Sequence, residues 1–373
     1  MIDITARLEA YRADSLLREQ YIVAHHYINF ASNDYLCLAQ DSTVKAAFKE
    51  GVDLYGLGSG ASAMVTGYSQ AHKDIEQKFA EFLNRDQAVL FNSGYLANLG
   101  VISTLADKNS SIVADKLVHA SLIDGIKLSQ AKLRRFKHND MEHAELILSK
   151  KFKQSLLITE SIFSMEGDIA PAHKLANLAS KYGSTFIIDD AHAIGVLGKR
   201  GRGICEYYNL TQKDVPCLII PLGKAVGSQG AVVAGDKNLI QALKQFARTY
   251  IYTTALPPAM PHATLAALKI INEENWRRQK LNELILFFVE MADNLELPLV
   301  SKDLTPIKSI LVGDNNRTLK IQKYLLDKGL FISCIRPPTV PKNTARIRIS
   351  LNCLHSKQQI LNLLQLIAEK YYE

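Results

Sequence analysis

The stretch Pro221-Leu222-Gly223-Lys224-Ala225-Val226-Gly227-Ser228-Gln229-Gly230, which follows the apolar run Cys217 to Ile220, sets one lysine among three glycines at the end of a predicted buried strand. A strand that ends in a Gly-rich turn holds an amine at the edge of a sheet, in surroundings of low dielectric where a lysine becomes a nucleophile. A lysine beside glycines also suits a surface turn, so the neighbours of this stretch decide its reading. Upstream, apolar runs alternate with helical periodicity. Strands are expected at Ala88 to Phe91, Ser111 to Ala114, Leu133 to Phe136, Ser155 to Thr159, Thr185 to Ile188 and Val232 to Gly235. Helices are expected between them, at Leu96 to Leu105, Ala120 to Leu128, Met141 to Lys150 and Ala172 to Tyr182. Strands separated by helices predict an α/β fold with a large, mostly parallel sheet covered on both faces, in which ligands bind beyond the C-terminal ends of the strands.

The informative residues fall at those ends. After Ala88 to Phe91 comes Asn92-Ser93-Gly94-Tyr95 at a helix start, where free backbone N–H groups and the helix dipole suit a phosphate. After Thr185 to Ile188 comes Asp189-Asp190-Ala191-His192, two acids and an imidazole that are costly to bury without partners. Asp189 could hold a ring nitrogen protonated and His192 could orient a ligand or move a proton. Gly56 to Ser62 has a G-x-G flavour without the spacing of a dinucleotide fingerprint, and suits close approach of a ligand or a second subunit.

Beyond Leu256-Pro257-Pro258 the pattern changes. Ala259 to Leu295 reads as mostly helical, followed by strands at Ile307 to Val312, Phe331 to Ile335 and Ala345 to Leu351 and helices at Arg317 to Lys328 and Lys357 to Tyr371. This predicts a smaller C-terminal α+β domain with Arg336 and Arg346 at strand ends, suited to carboxylates. The expected divisions are an N-terminal segment 1–40 carrying an amphipathic helix over Ile2 to Gln20, a large domain 41–262 and a C-terminal domain 263–373.

Composition narrows the class. The 373 residues are 47% hydrophobic and 22% charged, as in an ordinary soluble protein, and no apolar run reaches the roughly 20 residues of a membrane span. The N-terminus lacks a signal-peptide pattern, so a cytoplasmic protein is expected. Five scattered cysteines read as reduced and packed, with no metal-type clustering. A net charge of +7 and the run Lys132, Arg134, Arg135 and Lys137 fit either an anionic partner or a solvated basic face. The aromatic interleaving of a nucleic-acid binder is missing.

Taken together, Ser32-Asn33-Asp34-Tyr35-Leu36, Gly58-Ser59-Gly60, Asn92-Ser93-Gly94-Tyr95, Asp115 to Ser121, Phe163 to Asp168, Asp189-Asp190-Ala191-His192 and the Lys224 turn resemble the α-oxoamine synthases. These are fold-type I pyridoxal-phosphate enzymes with the aspartate aminotransferase-like fold. Arg336-Pro337-Pro338-Thr339-Val340-Pro341 and Thr344 to Arg348 are most similar to the alanine-using, biotin-pathway branch. The resemblance spans nearly the whole chain. It implies Lys224 as the Schiff-base lysine and α-proton base, Asp189 at the pyridine nitrogen, His119 stacked on the ring and His192 at the phenolic oxygen with Ser164 nearby. Ser93, Gly94 and Tyr95 would take the phosphate. Asn33 and Arg346 would take the amino-acid carboxylate, with Arg336 as the alternative, and Arg18 would meet the distal end of the acyl chain. The implied reaction joins L-alanine to pimeloyl-CoA or a pimeloyl-acyl carrier protein with loss of CO2, in a homodimer. Siblings that use glycine or serine, and a non-catalytic partner subunit of the same fold, are the alternatives.

The chain departs from the family pattern in three places. Pro221 stands where the family commonly has Thr, so Thr254, reaching over from a second subunit, would carry more of the phosphate. Cys37 replaces a usual Gly, and Ala193-Ile194 a smaller pair.

Overall fold

A computed structural model of the chain describes residues 3–150 and 152–373. Its strands are β1 (Ile28–Asn29), β2 (Gln87–Phe91), β3 (Ser111–Asp115), β4 (Lys132–Phe136), β5 (Ser155–Glu160), β6 (Thr185–Asp189), β7 (Cys217–Pro221), β8 (Ala231–Gly235), β9 (Ile307–Gly313), β10 (Leu330–Phe331), β11 (Ser333–Ile335) and β12 (Ala345–Ser350). The chain divides into two compact units. One comprises the chain up to Tyr35 with Ser164–Asp168 and Gln279–Glu373; the other comprises Leu36–Phe163 and Ile169–Arg278. The boundaries expected at 40/41 and 262/263 thus fall elsewhere. The N-terminal segment shares a unit with the C-terminal part, and a five-residue piece from mid-chain joins them.

The larger unit is built on a seven-stranded sheet of order β2-β8-β7-β6-β5-β3-β4. Strands β3 to β7 pair in parallel, while β8 runs antiparallel to both β2 and β7. The antiparallel strand follows from the opening stretch: residues 222–230 are too few for a crossover, so β7 and β8 form a hairpin. Central strands such as Phe186-Ile187-Ile188 and Leu218-Ile219-Ile220 are fully buried, as a sheet covered on both faces requires. Each such side chain contributes roughly 1.5–3 kcal/mol relative to exposure. Edge strand β4, Lys132-Leu133-Arg134-Arg135-Phe136, is largely exposed except at Phe136. Its charges discourage pairing with another chain, which gives the basic run a structural task as a solvated sheet edge.

In the smaller unit β9, β12 and β11 form an antiparallel sheet, and β1 pairs in parallel with β10. The single strand expected over Phe331 to Ile335 is therefore two, which change partners around the buried Ile332. The Ser164–Asp168 piece is stitched in by Ser309 Oγ donating to Met165 O (2.6 Å) and Thr305 Oγ1 donating to Gly167 O (2.5 Å). Gly167 has φ +77°, and a Cβ there would lie 2.3 Å from Ile307 O, so no other residue fits. The N-terminal helix is shorter than expected. It runs Ile4–Ala13, capped by Asp3, and buries none of its residues, with Ile4 68% exposed. The chain turns out of it at Ser15, in the left-handed region (φ 54°), and Leu16 to Gln20 are irregular. Ile2, the expected helix start, lies outside the described residues.

Candidate active site

In the larger unit, β2, β3, β5, β6 and β7 all end at one edge of the sheet, and the residues expected to carry chemistry follow those ends. After β2, Ser93 caps the helix Gly94–Leu105, its Oγ accepting from Leu96 N (3.2 Å). The Gly94 and Tyr95 N–H groups lie in the first turn, where a helix offers no internal acceptor. Tyr95 is half-exposed and its hydroxyl donates to Asp124 Oδ2 (2.5 Å). Pro221, the last residue of β7, packs against this turn: a Cβ on Gly94 would lie 2.7 Å from Pro221 Cγ. Glycine is therefore required at 94 by contact. Asn92 donates to Thr254 O (2.6 Å), so the exposed Thr254 sits beside the turn of its own chain.

Beyond β7 the Lys224 turn is closed by Gly227 N–H donating to Lys224 O (2.8 Å), with Gly227 at φ +68°. A Cβ at Gly227 would lie 2.3 Å from Ala39 N, which makes the glycine obligatory. Beyond β6, Asp189 is 4% exposed. Its carboxylate accepts from Ala191 N (3.1 Å) and from Asn98 Nδ2 (2.8 Å), and no cation among the described residues pairs with it. His192 is buried three residues on. His119 caps the helix Ala120–Ser129 and its Nδ1 contacts Ser121 Oγ at 2.7 Å. Burial lowers the His119 pKa; the nearby Asp189 charge raises it and the Lys224 charge lowers it, which puts these three groups in one electrostatic neighbourhood.

Asp190, next to Asp189, is wholly buried. Burial raises its carboxyl pKa to about 8, against the hydrogen bond from Ile204 N. Its Oδ1 accepts from Ile204 N (3.3 Å), tying the glycine-rich loop after β6 back to the strand. Sequence reading saw Asp190 as half of an acidic pair and missed this neutral, anchoring role.

The smaller unit gathers a second group. Arg348 donates through Nε to Ser164 O (2.6 Å), through Nη2 to Asn33 Oδ1 (3.1 Å) and through Nη1 to Ser350 Oγ (3.0 Å). Tyr35, fully buried, donates to Asn33 Oδ1 (3.2 Å). Arg346, by contrast, pairs with Glu166 Oε1 (3.0 Å) and donates to Thr344 O (3.2 Å). Of the arginines on this strand, the expected Arg346 already has a carboxylate from its own chain, whereas Arg348, not singled out from the sequence, holds two of the expected residues, Asn33 and Ser164, together. Arg336 donates to the carbonyls of Ser15 and Leu17 and tethers the N-terminal segment, while Arg18 donates to Thr339 Oγ1 (2.9 Å). Both line a cleft of about 580 Å³ whose apolar wall includes Leu16, Leu319 and Phe331.

Among the described residues no three His, Cys, Asp or Glu side chains cluster as metal ligands, and no helix is long and apolar enough to cross a membrane.

Known proteins bear out the architecture and the expected family. The aminotransferase class I and II family matches over residues 25–367. An 8-amino-7-oxononanoate synthase from Pseudomonas putida strain KT2440 is 43% identical, with 99% of this chain and 97% of the relative covered, and one from Saccharophagus degradans is 46% identical over 92% and 86%. Among solved structures, the 8-amino-7-oxononanoate synthase from Francisella tularensis is 40% identical, with TM-score 0.83 over 92% of this chain and 97% of that one. Serine palmitoyltransferase from S. paucimobilis superimposes with TM-score 0.93 over 99% and 98% at 26% identity. A histidine at a helix start, a buried strand-end carboxylate and a Gly-flanked lysine, in this chain order, accompany a match that places the chain in the aminotransferase class I and II family, in its branch of 8-amino-7-oxononanoate synthases.

Proposed function

We propose that the protein condenses L-alanine with the thioester of pimeloyl-CoA or a pimeloyl-acyl carrier protein, using pyridoxal phosphate, to give 8-amino-7-oxononanoate, CO2 and free thiol. The observation that carries this reading is the Asp189 carboxylate, 4% exposed and held by two neutral donors. A buried carboxylate without a cation is costly, and a protonated pyridine nitrogen is the partner that would complete it. The rest of the donor set fits the same group: a helix N-terminus at Gly94 and Tyr95 for its phosphate, and a lysine and an imidazole within electrostatic reach of Asp189 and each other.

When bound, pyridoxal phosphate supplies an electron sink for the alanine α-carbon. The chain supplies the remainder. Asp189 would keep the ring nitrogen protonated, His119 would cover the ring and His192 would hydrogen-bond its phenolic edge. Lys224 would hold the cofactor covalently, and its Nζ would serve as the base for the alanine α-proton and as the proton donor to the product carbon. Arg348 is the better candidate than Arg346 for the substrate carboxylate, since its guanidinium is already oriented by Asn33 and Ser164. The cleft beside Arg18 takes the acyl chain, whose distal carboxylate Arg18 would meet.

A second copy of the chain is proposed to cover the larger unit's exposed apolar residues Leu57 (87%), Val65 (75%) and Tyr252 (70%). The serine-using alternative rests on fold likeness at 26–28% identity, against 40–46% for the 8-amino-7-oxononanoate synthases.

The test is the visible spectrum of the protein mixed with pyridoxal phosphate. A band near ~420 nm that alanine perturbs, and that borohydride fixes covalently in the wild type but not in Lys224→Ala, is expected of a lysine-linked cofactor. Addition of pimeloyl-CoA to the alanine-loaded protein should then release CO2 and a product of the expected mass. No band with excess cofactor would sink the reading.

A further inference from the structure

Between His119 and Asp189 lie two side chains to which no role of their own has been given. Asn98, on the helix Gly94–Leu105, is 1% exposed, and Ser121, in the first turn of the helix Ala120–Ser129, is fully buried. Asn98 Nδ2 lies 2.8 Å from Asp189 Oδ2 and 2.8 Å from Ser121 Oγ, and Ser121 Oγ lies 2.7 Å from His119 Nδ1. The four side chains form one continuous line from carboxylate to imidazole.

We propose that Asn98 and Ser121 are positioning residues, a buried hydrogen-bonded relay that locks the His119 ring to Asp189 and places the proton of neutral His119 on Nε2.

The polarity of the line is set at both ends. At one end an ionised carboxylate only accepts, so Asn98 must turn its amide NH2 toward Asp189. The second hydrogen of that NH2 goes to Ser121 Oγ, which therefore accepts from Asn98. At the other end Ser121 backbone N–H, which only donates, points at His119 Nδ1 (3.3 Å). Nδ1 is thus an acceptor, and the Ser121 hydroxyl, already accepting from Asn98, gives its one hydrogen to Nδ1. Every donor is used once. The arrangement leaves Asn98 Oδ1 buried without a partner; turning the amide over would satisfy that oxygen's position only by facing it against the carboxylate. With Nδ1 accepting, the ring carries its hydrogen on Nε2, so that nitrogen presents an N–H rather than a lone pair; burial lowers the His119 pKa, in the direction that favours the neutral ring. His119 is then a plate with a donor edge and no base, and proton transfer falls to Lys224. This last consequence rests on the function proposed above; the relay does not.

The test is nitrogen NMR of the full chain labelled at histidine, with His119 assigned from His119→Gln and spectra taken without and with pyridoxal phosphate. In the wild type the His119 Nδ1 signal is expected in the unprotonated, hydrogen-bonded range and Nε2 in the protonated range. Ser121→Ala should move Nδ1 toward a ring nitrogen that has lost a hydrogen bond, Ser121→Thr should restore the wild-type signal, and Asn98→Ala should move Nδ1 in the same direction as Ser121→Ala. Asn98→Ala should also weaken pyridoxal phosphate binding roughly tenfold or more, as expected when a donor to a buried charge is lost. A proton on Nδ1 in the wild type, or an Nδ1 signal unmoved by Ser121→Ala, overturns the relay. If Asn98→Ala does not fold, Ser121→Ala, which removes a single hydroxyl, decides alone. A wild type that takes up no cofactor would defeat the proposed function while the cofactor-free spectra still judge the relay.

Discussion

The two units solve the problem of a buried charge in opposite ways. In the larger one, Asp189 is held by neutral donors only, Asn98 and the Ala191 amide, and is left without a counter-ion among the described residues. In the smaller one, Arg346 is matched by Glu166 within its own fold, while Arg348, two residues on along β12, is spread over Ser164 O, Asn33 and Ser350 and pairs with no acid among the described residues. A charge that the fold neutralises is a structural element; a charge that is oriented by neutral groups and left uncompensated is prepared for a ligand of the opposite sign. By that criterion Asp189 and Arg348 are the proposed ligand contacts, and Arg346 is proposed to serve stability.

The largest effects that could break this contrast are expected from the two arginines. Arg348→Ala should raise the KM for alanine by roughly a hundredfold, the scale of a lost charge-assisted pair of hydrogen bonds, with little change in the cofactor spectrum. Arg346→Ala should instead remove the buried ion pair with Glu166 and lower the unfolding free energy by about 3–5 kcal/mol, measurable in denaturant, with KM nearly unchanged. The reverse pattern, kinetics at 346 and stability at 348, would refute the assignment.

A smaller effect is expected where Pro221 meets Gly94. Gly94→Ala places a methyl 2.7 Å from Pro221 Cγ and should cost about 1–3 kcal/mol through overpacking. Combining it with Pro221→Ala, which vacates that space, should recover part of the loss, so the two changes are coupled in a double-mutant cycle. Additivity would show that the contact is not what excludes a side chain from the phosphate turn.

The mildest test concerns Asp190, whose carboxyl pKa burial raises from 3.8 to about 8. Between those values the folded chain keeps a proton that the unfolded chain has released, so Asp190 makes stability fall as pH rises from about 4 to 8 and level off above. Asp190→Asn, which keeps an acceptor for Ile204 N, should flatten that slope in urea titrations across this range. An unchanged slope would mean that Asp190 is ionised in the fold and that the larger unit buries two charges there.

Much of the larger unit was legible because its chemistry is local in sequence. Apolar runs broken by glycine and a polar residue mark strand ends, and in a parallel sheet the ends of successive strands gather at one edge, so Asn92 to Tyr95, Asp189 to His192 and the Lys224 turn were found one by one. The antiparallel β8 was not anticipated, although the short Pro221 to Gly230 connection requires it. The link between Asn98 and Ser121 escaped, although Ser121 closes a quoted motif, because each is a polar residue within a helix and only the packing of two helices beside β6 brings them into line. Among the arginines the reason is sharper. Arg346 and Arg348 stand two apart on one strand, so they share a face, and both are 5% exposed.

The amino-acid sequence by itself determined the α/β alternation, the buried strands, the lysine turn and the strand-end carboxylate, since all of these follow from hydrophobic period and from where glycine interrupts it. Which chain segments form a unit, which arginine meets Glu166 and which stays open, and how Asn98 joins Asp189 to His119 were decided only by the tertiary structure. Those outcomes depend on pairings between residues tens to hundreds of positions apart, and local periodicity carries no information about which distant partner reaches a given side chain first.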